Sequence, residues 1–194
     1  MKIEYEATFI DIDKDKIRKK LSEVGAVLVR PEFLQTRKTF ELPSGQERKG
    51  AWIRVRDEGD KNTLSLKIID GDKIEDQKEL SFDISDFSLA TEFLSMIGCR
   101  QKSYQESRRE LWTLDGVEIT IDEWPYLEPY VEVEGNSEEE VKSVSVKLGF
   151  NYSKALFCSV DKIYNMKYGT PIEVICHQIS AITFTDPNPF LGYR

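Results

Sequence analysis

Like-charged side chains stand two residues apart at several points of this chain: Glu4 and Glu6, Arg54 and Arg56, Glu132 and Glu134. Residues two apart share one face of a β-strand. By the same parity Lys67, Glu79 and Asp122 fall on the polar faces of other alternating segments, opposite Leu66, Leu80 and Ile121. An ordinary sheet with one wet face would carry a mixed, Thr-rich polar side. Pairs of one sign within a strand, with the sign changing between strands, are costly unless something neutralises them. Glu4, Glu6, Asp122, Glu132 and Glu134 offer the carboxylate oxygens that a hard cation such as Mg²⁺ or Mn²⁺ requires. Arg54, Arg56, Lys67 and Arg109 offer donors for a polyphosphate, whose oxygens a guanidinium holds two at a time. No catalytic residue is singled out by these spacings.

The elements that must position these groups follow from periodicity. Alternation predicts strands over 2–10, 33–42, 51–57, 62–70, 74–84, 103–113, 117–123 and 130–135. Helical spacing predicts helices over 14–24, 86–97 and 138–148, and another from Ser153 to Tyr168. Asp13 caps the first, and Ser137 with Glu140 forms a capping box for the third. Asp70-Gly71 and Leu114-Asp115-Gly116 mark hairpin turns. About eight strands joined mostly by hairpins predict a mainly β (α+β) fold: a closed eight-stranded antiparallel β-barrel, a tunnel with a charged interior and helices covering it outside. A carrier of apolar ligands would show an apolar lumen instead. Residues 1–168 are expected to form this tunnel domain, with 169–194 an extension packed on it.

The chain has 194 residues, 35 acids against 27 bases, and a formal net charge of −8. Such a balance argues against general nucleic-acid binding and against docking on an anionic membrane. No apolar run is long enough to span a bilayer. The odd number of cysteines, Cys99, Cys158 and Cys176, fits no zinc spacing and reads as free thiols. The first residues lack an apolar signal region, so a cytoplasmic location is expected. The expected partner is a small triphosphate-containing molecule, and a homodimer is compatible with the sequence. His177, the one histidine, reads as a packed or surface residue; Cys99 and Cys158 read as packed. Trp52, Trp112 and Trp124 read as core, with stacking on a base as the alternative.

The pattern resembles the CYTH, or triphosphate tunnel metalloenzyme, superfamily of class IV adenylyl cyclases and thiamine triphosphatases. Its Glu-x-Glu-x-Lys hallmark resembles Glu4-Tyr5-Glu6-Ala7-Thr8. Its paired arginines resemble Trp52-Ile53-Arg54-Val55-Arg56, its next lysine Leu64-Ser65-Leu66-Lys67, and its mid-chain glutamate Gln77-Lys78-Glu79-Leu80. Arg109-Glu110-Leu111-Trp112 through Asp122 and Val131-Glu132-Val133-Glu134-Gly135 resemble its late segments. The resemblance implies acids holding Mg²⁺ or Mn²⁺, bases holding a triphosphate, and either hydrolysis of the triphosphate or cyclisation of ATP. A nucleotide- or polyphosphate-binding protein with little turnover is the alternative. Two positions depart from the pattern: Thr8 stands where the hallmark has lysine, and Ser107 where a lysine often precedes the arginine matched to Arg109. Arg37 and Arg108 are the bases that could compensate.

Overall fold

The computed structural model describes residues 1–193; Arg194, the last residue of the expected extension, lies outside the described residues. Ten strands form one sheet: β1 (Lys2–Ile3), β2 (Tyr5–Phe9), β3 (Val27–Phe40), β4 (Ala51–Asp57), β5 (Asn62–Ile69), β6 (Gln77–Ile84), β7 (Gln101–Leu114), β8 (Val117–Glu123), β9 (Tyr130–Gly135) and β10 (Ala181–Ile182). Nine of them follow the order β1-β6-β5-β4-β3-β7-β8-β9-β2. The two ends of that path, β1 and β2, are separated in the chain by Glu4 alone. The strand expected over 2–10 is therefore bent at Glu4, one half pairing with β6 and the other with β9. Glu4 N donates to Gln77 O and Gln77 Nε2 to Glu6 O across this seam. Counting β1 and β2 as one stave, the sheet returns on itself with eight.

Helices cover the outer apolar faces. In α1 (Lys14–Glu23), the Asp13 carboxylate accepts from Asp15 N and Lys16 N, satisfying donors that the first turn leaves open. Ser137 caps α3 (Glu138–Lys147) at Glu140 N, while the Glu140 carboxylate reaches back one residue further than expected, to Asn136 N. Ile17 and Leu21 of α1 and Val141, Val144 and Leu148 of α3 bury against the outward residues of β8 and β9, Ile119, Ile121, Val131 and Val133. Each such aliphatic side chain contributes about 1.5–3 kcal/mol by leaving water. The alternation that sends these residues outward sends Glu118, Thr120, Glu132 and Glu134 inward. Across the barrel α2 (Phe87–Met96), capped by Asp86, buries Leu94 against Phe40 and Val55.

Several boundaries differ from the sequence expectation, each for a local reason. β3 begins at Val27 rather than 33; its first half is largely exposed and carries a register shift around Pro31, which hides the pattern. β6 begins at Gln77 rather than 74. Residues 74–76 form a 3₁₀ turn in which Asp76 accepts from Lys73 N and buried Ile74 anchors the loop. The helix expected from Ser153 starts at Val160, giving α4 (Val160–Tyr168). The Asn151 carboxamide accepts from Ser153 N, and Leu156 then pairs with Thr8 through two backbone hydrogen bonds of 2.9 Å, which holds 155–158 extended. At the turn between β7 and β8, Asp115 (φ 54°) and Gly116 (φ 83°) both take left-handed conformations, as a two-residue hairpin loop requires.

After α4, α5 (Ile172–His177) and β10 pack on one end of the barrel. Ile175, Ile179, Ile182 and Phe190 join Trp124 and Tyr130, the residues flanking the β8–β9 connection, in a second apolar cluster with Ile163 and Tyr164 of α4. β10 pairs in parallel with Tyr104 and Gln105 of β7, beyond the last β7–β8 pair at Arg108 and Glu123. The chain's last segment thus continues the wall where β8 stops.

Candidate functional site

The barrel encloses a cavity of about 260 Å³ with a charged lining. Two walls face each other. One is acidic and comes from Glu4 at the seam, β2 and β9: register puts Glu6 opposite Glu134 and Thr8 opposite Glu132. One carboxylate oxygen from each of Glu4, Glu6 and Glu134 lies within 4.8 Å of the others. Neither Glu6 nor Glu134 has an ion-pair partner among the described residues. Burial, then the neighbouring Glu4 carboxylate, pushes Glu6 up to about 8. The same two causes push Glu134 up to about 7. Three carboxylates kept this close repel one another, and a hard divalent cation is a ligand that could relieve that repulsion.

The other wall is basic and comes from β3, β4 and β5. Arg37 stands opposite Arg56, and Arg54 opposite Thr39 on one side and Ser65 on the other. Arg54 meets Glu79 at 3.0 Å, Arg56 meets Glu58 at 2.6 Å, and Lys67 meets Glu4 at 2.7 Å. Despite burial, Lys67 and Arg54 hold Glu79 well below the usual carboxylate range. The Nε atoms of Arg37, Arg54 and Arg56 are buried with no hydrogen-bond partner. Burial, then the charges of Arg54, Arg56 and Arg109, lower Arg37 to about 9.

Of the residues singled out by sequence, Glu4, Glu6, Glu132, Glu134, Arg37, Arg54, Arg56, Lys67, Glu79 and Arg109 line the cavity together. Asp122 and Thr8 do not. Asp122 is fully buried and engaged by Arg109, whose Nε and Nη2 donate to it at 2.7 Å each. Glu132 takes a third bond from Arg109 Nη2 at 2.6 Å. The structure therefore separates the five expected metal acids into a trio, Glu4, Glu6 and Glu134, of which Glu4 also meets Lys67, and a pair held by Arg109. Thr8 has the tunnel-facing parity but is 1% exposed and absent from the cavity lining, and its backbone pairs with Leu156. Of the two compensating bases, Arg37 reaches the cavity. Arg108 lies outside, 3.2 Å from Glu123 and over the Phe184 ring.

The cavity also holds residues that strand parity could not supply. Lys102 enters at a register shift in β7, where Ser103 pairs with Thr39 and Gln101 with Phe40. Cys158 lines the cavity from the loop before α4 rather than packing in a helix, and Cys176 lines it from α5. Burial keeps both thiols up at about 12, so neither is a thiolate nucleophile near neutral pH. Trp124 belongs to the second apolar cluster and also presents its ring to Arg37 at 4.4 Å in the cavity wall. Trp52 also lines the cavity, whereas Trp112 is core. His177 is on the surface between Glu41 and Glu173.

Comparison with solved structures finds the same fold. A candidate adenylate cyclase from Vibrio parahaemolyticus superposes with a TM-score of 0.71 at 12% identity, over 84% of this chain and 97% of that one. A conserved hypothetical protein from Pyrococcus furiosus gives 0.65 at 23% identity, over 78% and 94%. A protein from Hippeastrum, described as an adenylyl cyclase candidate with a dominant triphosphatase activity, gives 0.58 at 16% identity, over 89% and 99%. No curated protein matches the sequence significantly. No helix among the described residues is long and apolar enough to cross a membrane. The family model of the CYTH domain matches residues 2–164, and the chain belongs to that family.

Proposed function

We propose that this protein is a divalent-metal-dependent enzyme that binds a triphosphate in its barrel and either hydrolyses it or, with ATP, cyclises it. The observation that carries the reading is the pairing of opposites in one cavity: three crowded carboxylates face a wall of arginines whose buried Nε atoms lack partners. A polyphosphate with its metal ion supplies what both walls lack. Glu4, Glu6 and Glu134 would hold Mg²⁺ or Mn²⁺, which would neutralise phosphate charge and orient the attacking oxygen. Arg54 and Arg56 would hold phosphate oxygens, remaining in place as charge develops on them and on the leaving group. Lys67, fixed by Glu4 and Glu79, would join the two walls. Arg109 would act mainly as a brace, keeping Glu132 and Asp122 in position. The acidic surface and the enclosed site favour a small triphosphate over nucleic acid as the partner.

The buried position of Thr8 favours a second reading, a triphosphate-binding protein with little turnover, because no lysine reaches the cavity from that point of β2. Titration of tripolyphosphate, diphosphate and phosphate into the protein with Mn²⁺ tests the site under both readings. Affinity should fall in that order as fewer oxygens remain to be held. Equal affinity for phosphate and tripolyphosphate would rule out the triphosphate site.

A further inference from the structure

Four tunnel bases, Arg54, Arg56, Lys67 and Arg109, each have a carboxylate within 3.0 Å. Arg37 has no ion-pair partner among the described residues. It is 5% exposed, its Nε has no hydrogen-bond partner, and its Nη2 donates to the neutral Gln35 Oε1 at 2.8 Å and to Ser107 Oγ. The Trp124 ring backs its guanidinium. A buried cation held by neutral groups and left without a counter-charge is costly unless an anion completes it. Where the family pattern often has lysine, position 107 is serine; beside Arg37 a lysine would crowd a second cation against the first, and the serine hydroxyl instead accepts from Arg37.

Position along the wall says which part of the ligand meets Arg37. Register stacks the bases in levels: Lys67 opposite Trp52, then Arg54, then Arg56 with Arg37 beside it. Successive levels on one strand are about 6.5–7 Å apart. The cavity lining also includes Val160 and Ile175, which pack in one apolar cluster with Trp124, the ring that backs Arg37. A triphosphate is long enough to span one such step but not two, so a chain lying along β4 with one end at Arg54 has its far end at Arg37.

We propose that Arg37, positioned by Gln35 and Ser107 and backed by Trp124, anchors the free terminal phosphate, so that the site measures chain length and selects triphosphates with an unsubstituted end over diphosphates. This rests on the reading of the cavity as a triphosphate site. Tripolyphosphate and diphosphate titrated with Mn²⁺ into wild type, Arg37→Gln and Arg37→Lys test it. Arg37→Gln should weaken tripolyphosphate by roughly 10- to 100-fold, the range for a hydrogen bond to a charged group, and diphosphate by less than about threefold. Its ligand-free melting temperature should hold or rise, because an unpaired buried charge is gone. Arg37→Lys, which keeps the charge but loses the planar fork, should fall between the two proteins. Equal losses for both ligands, or no loss, would overturn the terminal anchor while wild-type binding still upheld the site. Failure of wild type to bind tripolyphosphate would remove the triphosphate reading and this one with it. Should Arg37→Gln not fold, the tri-to-diphosphate ratio of Arg37→Lys decides: an unchanged ratio contradicts the proposal.

Discussion

The two walls of the barrel neutralise their charge differently. On the basic wall of β3, β4 and β5, bases are met by acids within the protein, Arg54 by Glu79, Arg56 by Glu58 and Lys67 by Glu4, and Arg37 alone is left over. On the acidic wall of β2 and β9, Glu6 and Glu134 are left over, and Glu4 crosses to the bases. The paired groups are held in place by their partners before any ligand arrives, which keeps their geometry ready for it. The leftover groups carry the unmet demand, negative on one wall and positive on the other. A metal and a phosphate chain bound together would meet both, which explains why the excesses lie in one cavity rather than on the surface.

The largest effect should come from removing the acidic excess. Glu6→Gln with Glu134→Gln keeps volume and removes two charges, so Mn²⁺ affinity measured by titration calorimetry at pH 8.5 should fall on the order of 100-fold or more. Glu132→Gln with Glu134→Gln should also weaken metal binding, but less, because Glu132 is committed to Arg109. Unaltered titrations in both pairs would remove the metal from the acidic wall. Next in size are the arginines. Arg54→Ala and Arg56→Ala should each weaken tripolyphosphate binding by about 1.5–3 kcal/mol. Arg54→Ala also leaves Glu79 facing Lys67 alone, so it should lower the melting temperature as well.

A smaller effect is predicted for pH. Glu6 and Glu134 have pKa values raised from the ordinary 4.5 to about 8 and about 7. Their contribution to stability is thus fully present below about pH 4.5 and is lost as pH rises through 7 and 8. In chelator, the melting temperature of wild type should fall over that upper window more than that of Glu6→Gln, and Mn²⁺ should reverse the fall. Parallel curves for the two proteins would contradict the crowding of the trio. The smallest effect should be that of Thr8→Lys. The position is buried and opposite Glu132, so the new ammonium should pair there and change turnover by less than about tenfold, well short of what a positioned general acid or base supplies. A larger rise in kcat would show that a side chain at position 8 reaches the cavity.

How much of this was legible beforehand divides along the same line. Parity alone puts Glu4 with Glu6, Arg54 with Arg56, and Glu132 with Glu134 on the inner face, because a strand's side chains repeat every second residue whatever its neighbours. It also gives the barrel, since the apolar partners Ile119, Ile121, Val131 and Val133 require helices outside. Pairing between strands was not legible. That Arg109 closes on Asp122 and Glu132, or that Arg37 stands beside Arg56 without an acid, depends on the register of β3, β4, β7, β8 and β9. Residues delivered by irregular backbone had no periodic signal: Lys102 at a bulge, Cys158 after a stretch held by Thr8, Ile175 from the last segment. Thr8 shows the limit of parity in the other direction, with the right face and no access.

If the acidic wall's metal and the basic wall's phosphate chain act together in one reaction, turnover needs both. The protein is given ATP, thiamine triphosphate and inorganic triphosphate with Mg²⁺ or Mn²⁺, and both released phosphate and cyclic AMP are read, beside Glu6→Gln/Glu134→Gln and Arg54→Ala. The account predicts turnover of at least one triphosphate that stops in chelator and is reduced by roughly 10-fold or more in each variant. Turnover that persists in chelator, or that survives loss of either wall, would contradict it.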